Sequence, residues 1–158
     1  MEHSDNADEH AQLDVMLRSH VERCLQDVWE QPHLVTDDDN DYPYRWGTAA
    51  CWVHVGTGSS PVVRVFAHAV HGVKKSARLL TELNDLNTRA RLIRVLWDHH
   101  NVVVSADLSW TAIDRPTLHR TLVAVGSAAD DIGTLVAAVH GGNTPFAANV
   151  ESSSEDAA

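Results

Sequence analysis

The sequence predicts an α+β fold: an antiparallel five-stranded sheet with helices packed largely on one face, in the order α-β-β-β-α-β-β-α. Three observations predict it. Apolar residues recur every three or four positions around 13–29, 79–90 and 118–139, the spacing of an amphipathic helix. Between these stretches lie runs rich in Val, Trp, Tyr and Ile, with the alternation of half-buried strands. The runs are joined by groups that favour turns, chiefly Gly56-Thr57-Gly58-Ser59-Ser60 and Asp98-His99-His100-Asn101.

In order along the chain, Leu13, Leu17, Val21, Cys24 and Val28 make one stripe, widened by Met16, Leu25 and Trp29. The helix they form is expected from Gln12 and ends before Pro32, because the residue ahead of a proline is pushed out of the helical region. Leu34-Val35 and an acidic turn lead into a β-rich segment from Tyr42 to Val55, and Val62 to Val70 follows the Gly/Ser loop, which reads as a three-strand meander. Ser76 is placed to cap a helix through Leu79, Leu80, Leu83, Leu86 and Ala90. "LIRVLW" and "VVVSADL" then flank the 98–101 turn as a second hairpin. Asp114 caps the last helix, with Pro116 in its first turn and Leu118, Leu122, Val125, Ala129, Ile132, Val136 and Val139 as its stripe, up to Gly141-Gly142.

Register divides the sheet into two faces, since side chains alternate along a strand. A turn at 98–101 sets Trp97 opposite Val102, Val95 opposite Val104 and Ile93 opposite Ala106, all apolar and therefore the core side. In the other hairpin a five-residue loop pairs Val55 with Pro61, Val53 with Val63 and Cys51 with Val65. The opposite face then carries Trp52, His54, Arg64, Phe66, His68, Arg94, Leu96, Val103 and Ser105, which is more apolar than a plainly solvated face.

With 158 residues, 44% of them hydrophobic, the chain is sized for one domain with a real core. Residues 11–142 are expected to form it, between an acidic, disordered tail at 1–10 and a flexible Ser-rich, acidic tail at 143–158. Four acids precede residue 11 and three follow residue 150, so seven of the ten net negative charges lie at the ends and residues 11–150 carry only −3. Lys and Arg total 12 and form no large cluster, so nucleic acid is not an expected partner. Neither a basic, apolar leader nor a run of about 18 apolar residues is visible, so no membrane association is expected and the cytoplasm is the expected compartment. Cys24 and Cys51 sit among apolar neighbours and read as buried thiols.

Candidate chemistry fails on spacing. Asp37, Asp39 and Asp41 fall at positions one, three and five of a calcium loop, but position six is Tyr42 instead of glycine and position twelve is Thr48 instead of glutamate. The acidic run reads as a tight turn. Eleven histidines show no metal-ligand spacing, and Cys51 and His54, three apart on a strand, face opposite ways. "VGTGSS" lacks the lysine that ends a phosphate loop and joins two strands. Asn84 and Asn87 share a helix face and are expected to be solvated, with a partner's backbone as the alternative. No catalytic residue, metal or cofactor is expected.

The segments "DDDNDYPYRWG", "VRVFAHAVHGV", "ARLLTELNDLN", "RLIRVLW" and "VVVSADL" together resemble the YbjN-like relatives of the type III secretion chaperones, the CesT-like group. The resemblance spans roughly residues 34–140. Its most specific pieces are the Asp39-Asn40-Asp41-Tyr42 turn, Val65-Phe66-Ala67, the Leu83-Asn84 and Leu86-Asn87 pairs, and Asp107-Leu108; Asn40 stands where the family's turn commonly has glycine. It implies a non-enzymatic homodimer that holds extended polypeptide on apolar patches. The expected function is therefore a chaperone-like or adaptor domain binding a client polypeptide by strand addition or in an apolar groove. Trp52, Arg64, Phe66, Leu96 and Val103 are the candidate contacts, with burial at a dimer interface or under a helix as their competing role. A small-molecule-responsive regulatory domain is the alternative from another class.

Overall fold

The computed structural model of the chain describes residues 2–148. Its elements are α1 (Glu2–Trp29), β1 (Tyr42–Trp46), β2 (Ala49–Val55), β3 (Val62–His71), α2 (Ala77–Arg89), β4 (Arg94–Asp98), β5 (Asn101–Ser109), a short 3-10 turn at Trp110–Ala112, and α3 (Arg115–His140). All neighbouring strands are antiparallel, in the order β1-β2-β3-β5-β4. Both expected caps form: Ser76 Oγ accepts from Leu79 N, and the Asp114 carboxylate accepts from Thr117 N.

One side of the sheet is the core. Cys51, Val53, Val63, Val65, Ala67, Val95, Val102 and Val104 are all buried there, beneath Leu118, Leu122, Val125, Ala129 and Ile132 of α3. Leu17, Val21 and Leu25 of α1 and Leu79 and Leu83 of α2 complete the cluster. By length and composition α3 is apolar enough to cross a bilayer, but here its stripe lies on the strands as far as Val136 while Val139 is exposed. It approaches the sheet closely because two glycines face it. A Cβ on Gly126 would lie 2.6 Å from Cγ of Trp46, and one on Gly133 would lie 2.5 Å from the Ala69 carbonyl oxygen.

Several expectations are corrected. Residues 2–10 are helical, because α1 begins at Glu2 and not near Gln12. Residues 143–148 are pinned, not free: Asn143 exchanges two backbone hydrogen bonds with His71, and Phe146 N donates to Thr48 O. The rest of the expected C-terminal tail, 149–158, lies outside the described residues. In the first hairpin the register is displaced by two, with Val55 opposite Val63, Val53 opposite Val65 and Cys51 opposite Ala67. The displacement leaves Pro61, which has no N–H to give a ladder, in the loop, and it leaves every side chain on its expected face. Ile93 precedes β4 and packs on the core without pairing to Ala106. The second hairpin turns on His99 and His100 alone, at φ 44° and 66°, with Asp98 opposite Asn101.

Candidate functional site

The second face of the sheet carries no helix among the described residues, and the ladder arranges its side chains in rows. His54, Arg64 and Asp107 are register partners across β2, β3 and β5. The next row is Trp52, Phe66, Ser105 and Arg94, and the one after is Ala50, His68, Val103 and Leu96. All five expected contact residues, Trp52, Arg64, Phe66, Leu96 and Val103, therefore share this face. Arg64, Phe66, Leu96 and Val103 line one shallow depression of about 470 Å3, and Trp52 stands beside Phe66.

Aromatic stacking fixes the centre. The Trp52 and Phe66 rings lie 5.3 Å apart at 17° and are only partly buried, and the His68 ring meets Trp52 edge-on at 5.1 Å. Burial, then the neighbouring His71, holds the His68 imidazole below its usual range, which favours the uncharged ring. Leu96 is 39% exposed. This is unpartnered apolar surface of a kind that marks interaction sites.

Charge sits at one end. Arg64 grips Asp107 with two bonds, Nε at 2.7 Å and a terminal nitrogen at 3.2 Å, and Arg94 reaches both Asp107 and the hydroxyl of Ser105. The Arg64 bond, with both guanidinium charges, holds the Asp107 carboxyl below the usual carboxylate range. At the rim the buried Asp41 accepts from Nδ1 of His54 at 2.7 Å. Asp41 ends the acidic turn, in which one Asp37 oxygen takes the N–H of Asp39 and of Asp41 while Asn40 adopts φ 62°. The turn reading holds, and its last acid is part of the site.

Sequence reasoning placed Arg94 on this face without naming it a contact, and missed Asp41 and Asp107 as members. Alternation along β5 puts Asp107, two residues past Ser105, on the same face, but its place beside Arg64 comes from the pairing of β3 with β5, which no local pattern gives. A second groove, about 500 Å3, was not foreseen at all; Trp29, Leu34, Tyr44, Trp46 and Leu122 line it beside the edge strand β1. It gathers residues from α1, the loop after it, β1 and α3, which no local pattern connects.

A family model described as T3SS (YopN, CesT) and YbjN peptide-binding chaperone 1 matches residues 15–148. The chain belongs to this family of peptide-binding chaperones. Among solved structures, a chain of the crystal structure of the ExsC-ExsE complex superposes with TM-score 0.58 at 11% identity, over 80% of this chain and 94% of that one. At that identity the likeness establishes the shared fold, an α-β-β-β-α-β-β-α sandwich of sheet and helices. No curated protein matches the chain. Family membership agrees with the resemblance carried by the acidic turn and the β3, α2 and β5 segments.

Proposed function

We propose that the open sheet face is where this chaperone holds an extended segment of its client polypeptide. The observation that carries the reading is the stacked, partly exposed Trp52–Phe66 pair on a face that no described helix covers. Strand addition is the weaker route. At β4 the outward backbone groups of Val95 are already taken by Asn87, and β1 contains Pro43, which cannot donate. Side chains of a client laid on the face meet apolar surface in the middle and guanidinium groups at one end. The chaperone acts without catalysis in this reading, in the cytoplasm and as a homodimer; light scattering on the purified chain tests the last point.

An array of extended peptides, probed with the wild type and with a Trp52→Ser, Phe66→Ser double variant, tests the site. Loss of binding by a variant with unchanged circular dichroism supports it. Full binding by that folded variant removes the face from consideration.

A further inference from the structure

The rows of the open face have a spacing, and the spacing has a consequence for what fits. Along β3, Arg64, Phe66 and His68 point the same way. Successive side chains on one face of a strand are about 6.6 Å apart, and a strand packing on a sheet runs within about 30° of its direction. An extended client therefore repeats with the same period as the rows beneath it. One of its side chains lies over the Arg64–Asp107 row, the side chain two residues on over the Trp52–Phe66 row, and the next over Val103 and Leu96.

The first of these positions is cationic. Two guanidinium groups share the single carboxylate of Asp107, which leaves one net positive charge there. Arg64 uses Nε and one terminal nitrogen on Asp107, and Arg94 uses Nε on Ser105 and one terminal nitrogen on Asp107. A guanidinium has five N–H donors, so each keeps donors to give, and the two side chains are 49% and 53% exposed. Asp41 and Asp98 also line the depression, Asp41 hydrogen-bonded to His54 and Asp98 to His99, so the positive charge is local to the guanidinium pair.

We propose that the open face selects client segments that carry a carboxylate side chain two residues from the first of two alternate apolar side chains, with Arg64 and Arg94 as the carboxylate's receptors. The inference rests on the open face being the client site. Arg94 is the specificity residue, because without it Arg64 and Asp107 neutralise each other.

The test uses the full chain and labelled octapeptides with glutamate, leucine and leucine at alternate positions and serine between them, titrated by NMR at physiological salt. Glutamine and lysine replace the glutamate in two further peptides, and a fourth moves the glutamate by one residue. The glutamate peptide is expected to bind about three- to fivefold tighter than the glutamine peptide, the range for a solvent-exposed ion pair. Lysine and the displaced glutamate lose that gain. In Arg94→Gln the glutamate and glutamine peptides are expected to bind alike. Equal binding of the glutamate and glutamine peptides, tighter binding of lysine, or a preference that survives Arg94→Gln overturns the proposal and leaves the client site standing. Binding of none of the peptides overturns both.

Discussion

The side-chain amide of Asn87 closes both backbone groups of Val95: its Nδ2 donates to the carbonyl and its Oδ1 accepts from the N–H, each at 2.7 Å. Val95 lies on β4, at one edge of the sheet, where unpaired groups would template another strand. A residue of α2 thus stands in for a neighbouring strand. Asn87→Ala is expected to cost about 1–3 kcal/mol, the penalty for leaving partly buried polar groups without partners. Urea denaturation measures it, and light scattering of the variant at raised concentration is expected to show larger species through the opened edge.

Gly133 is where α3 sits hardest on β3. Gly133→Ala puts a Cβ 2.5 Å from the Ala69 carbonyl oxygen, a backbone atom at a β-bulge that has no rotamer with which to yield. The expected loss is about 1–3 kcal/mol, as for overpacking elsewhere. Thr134→Ala, one residue along on the exposed side, is the control and is expected to stay within about 0.5 kcal/mol of the wild type. Equal melting temperatures for Gly133→Ala and the control would show that the helix can lift at no cost.

Acid weakens the fold in two windows. His68 has a folded pKa below the ordinary 6.5, so the unfolded chain takes up the proton first; its stabilising share is whole above 6.5 and drains as pH falls below it. Asp107, held down by Arg64 and Arg94, has the same sign further down: its share is present above 3.8 and is lost as pH falls through its lowered value. Melting temperature against pH is expected to fall in both steps, with the first absent in His68→Gln and the second reduced in Asp107→Asn.

The two thiols should be silent in the folded chain. Cys24 and Cys51 are free and buried, and burial pushes the Cys51 thiol up to about 12 and raises Cys24 in the same direction. Iodoacetamide at pH 8 is expected to leave both unmodified by mass spectrometry until urea unfolds the chain. Rapid labelling of Cys51 under native conditions would contradict the packing of β2.

How much of this was legible depended on the range of the signal. Ser76 and Asp114 were found because a cap needs only its own residue and the helix after it. The face shared by Trp52, Phe66, Leu96 and Val103 was found because alternation survives even the two-residue register error made at Pro61. Asn87 was read as solvated, since its bond to Val95 joins α2 to a strand that the helix pattern says nothing about. The start of α1 was misjudged for a different reason. Residues 2–10 offer no apolar stripe, and their helix continues one nucleated further along, where Leu17, Val21 and Leu25 are buried.

The strand order also has a consequence in time. β3 ends up beside β5 and not beside β4, so the middle of the sheet is completed by a strand made after α2 and β4, and α3, which lies across it, is made last. Synthesis from the amino end delivers residues at about 5–20 per second. For the several seconds between the emergence of β2 and that of α3, the valines at 53, 55, 63 and 65 lack the helix that covers them, so a member of a peptide-binding family begins its own life with an open apolar sheet.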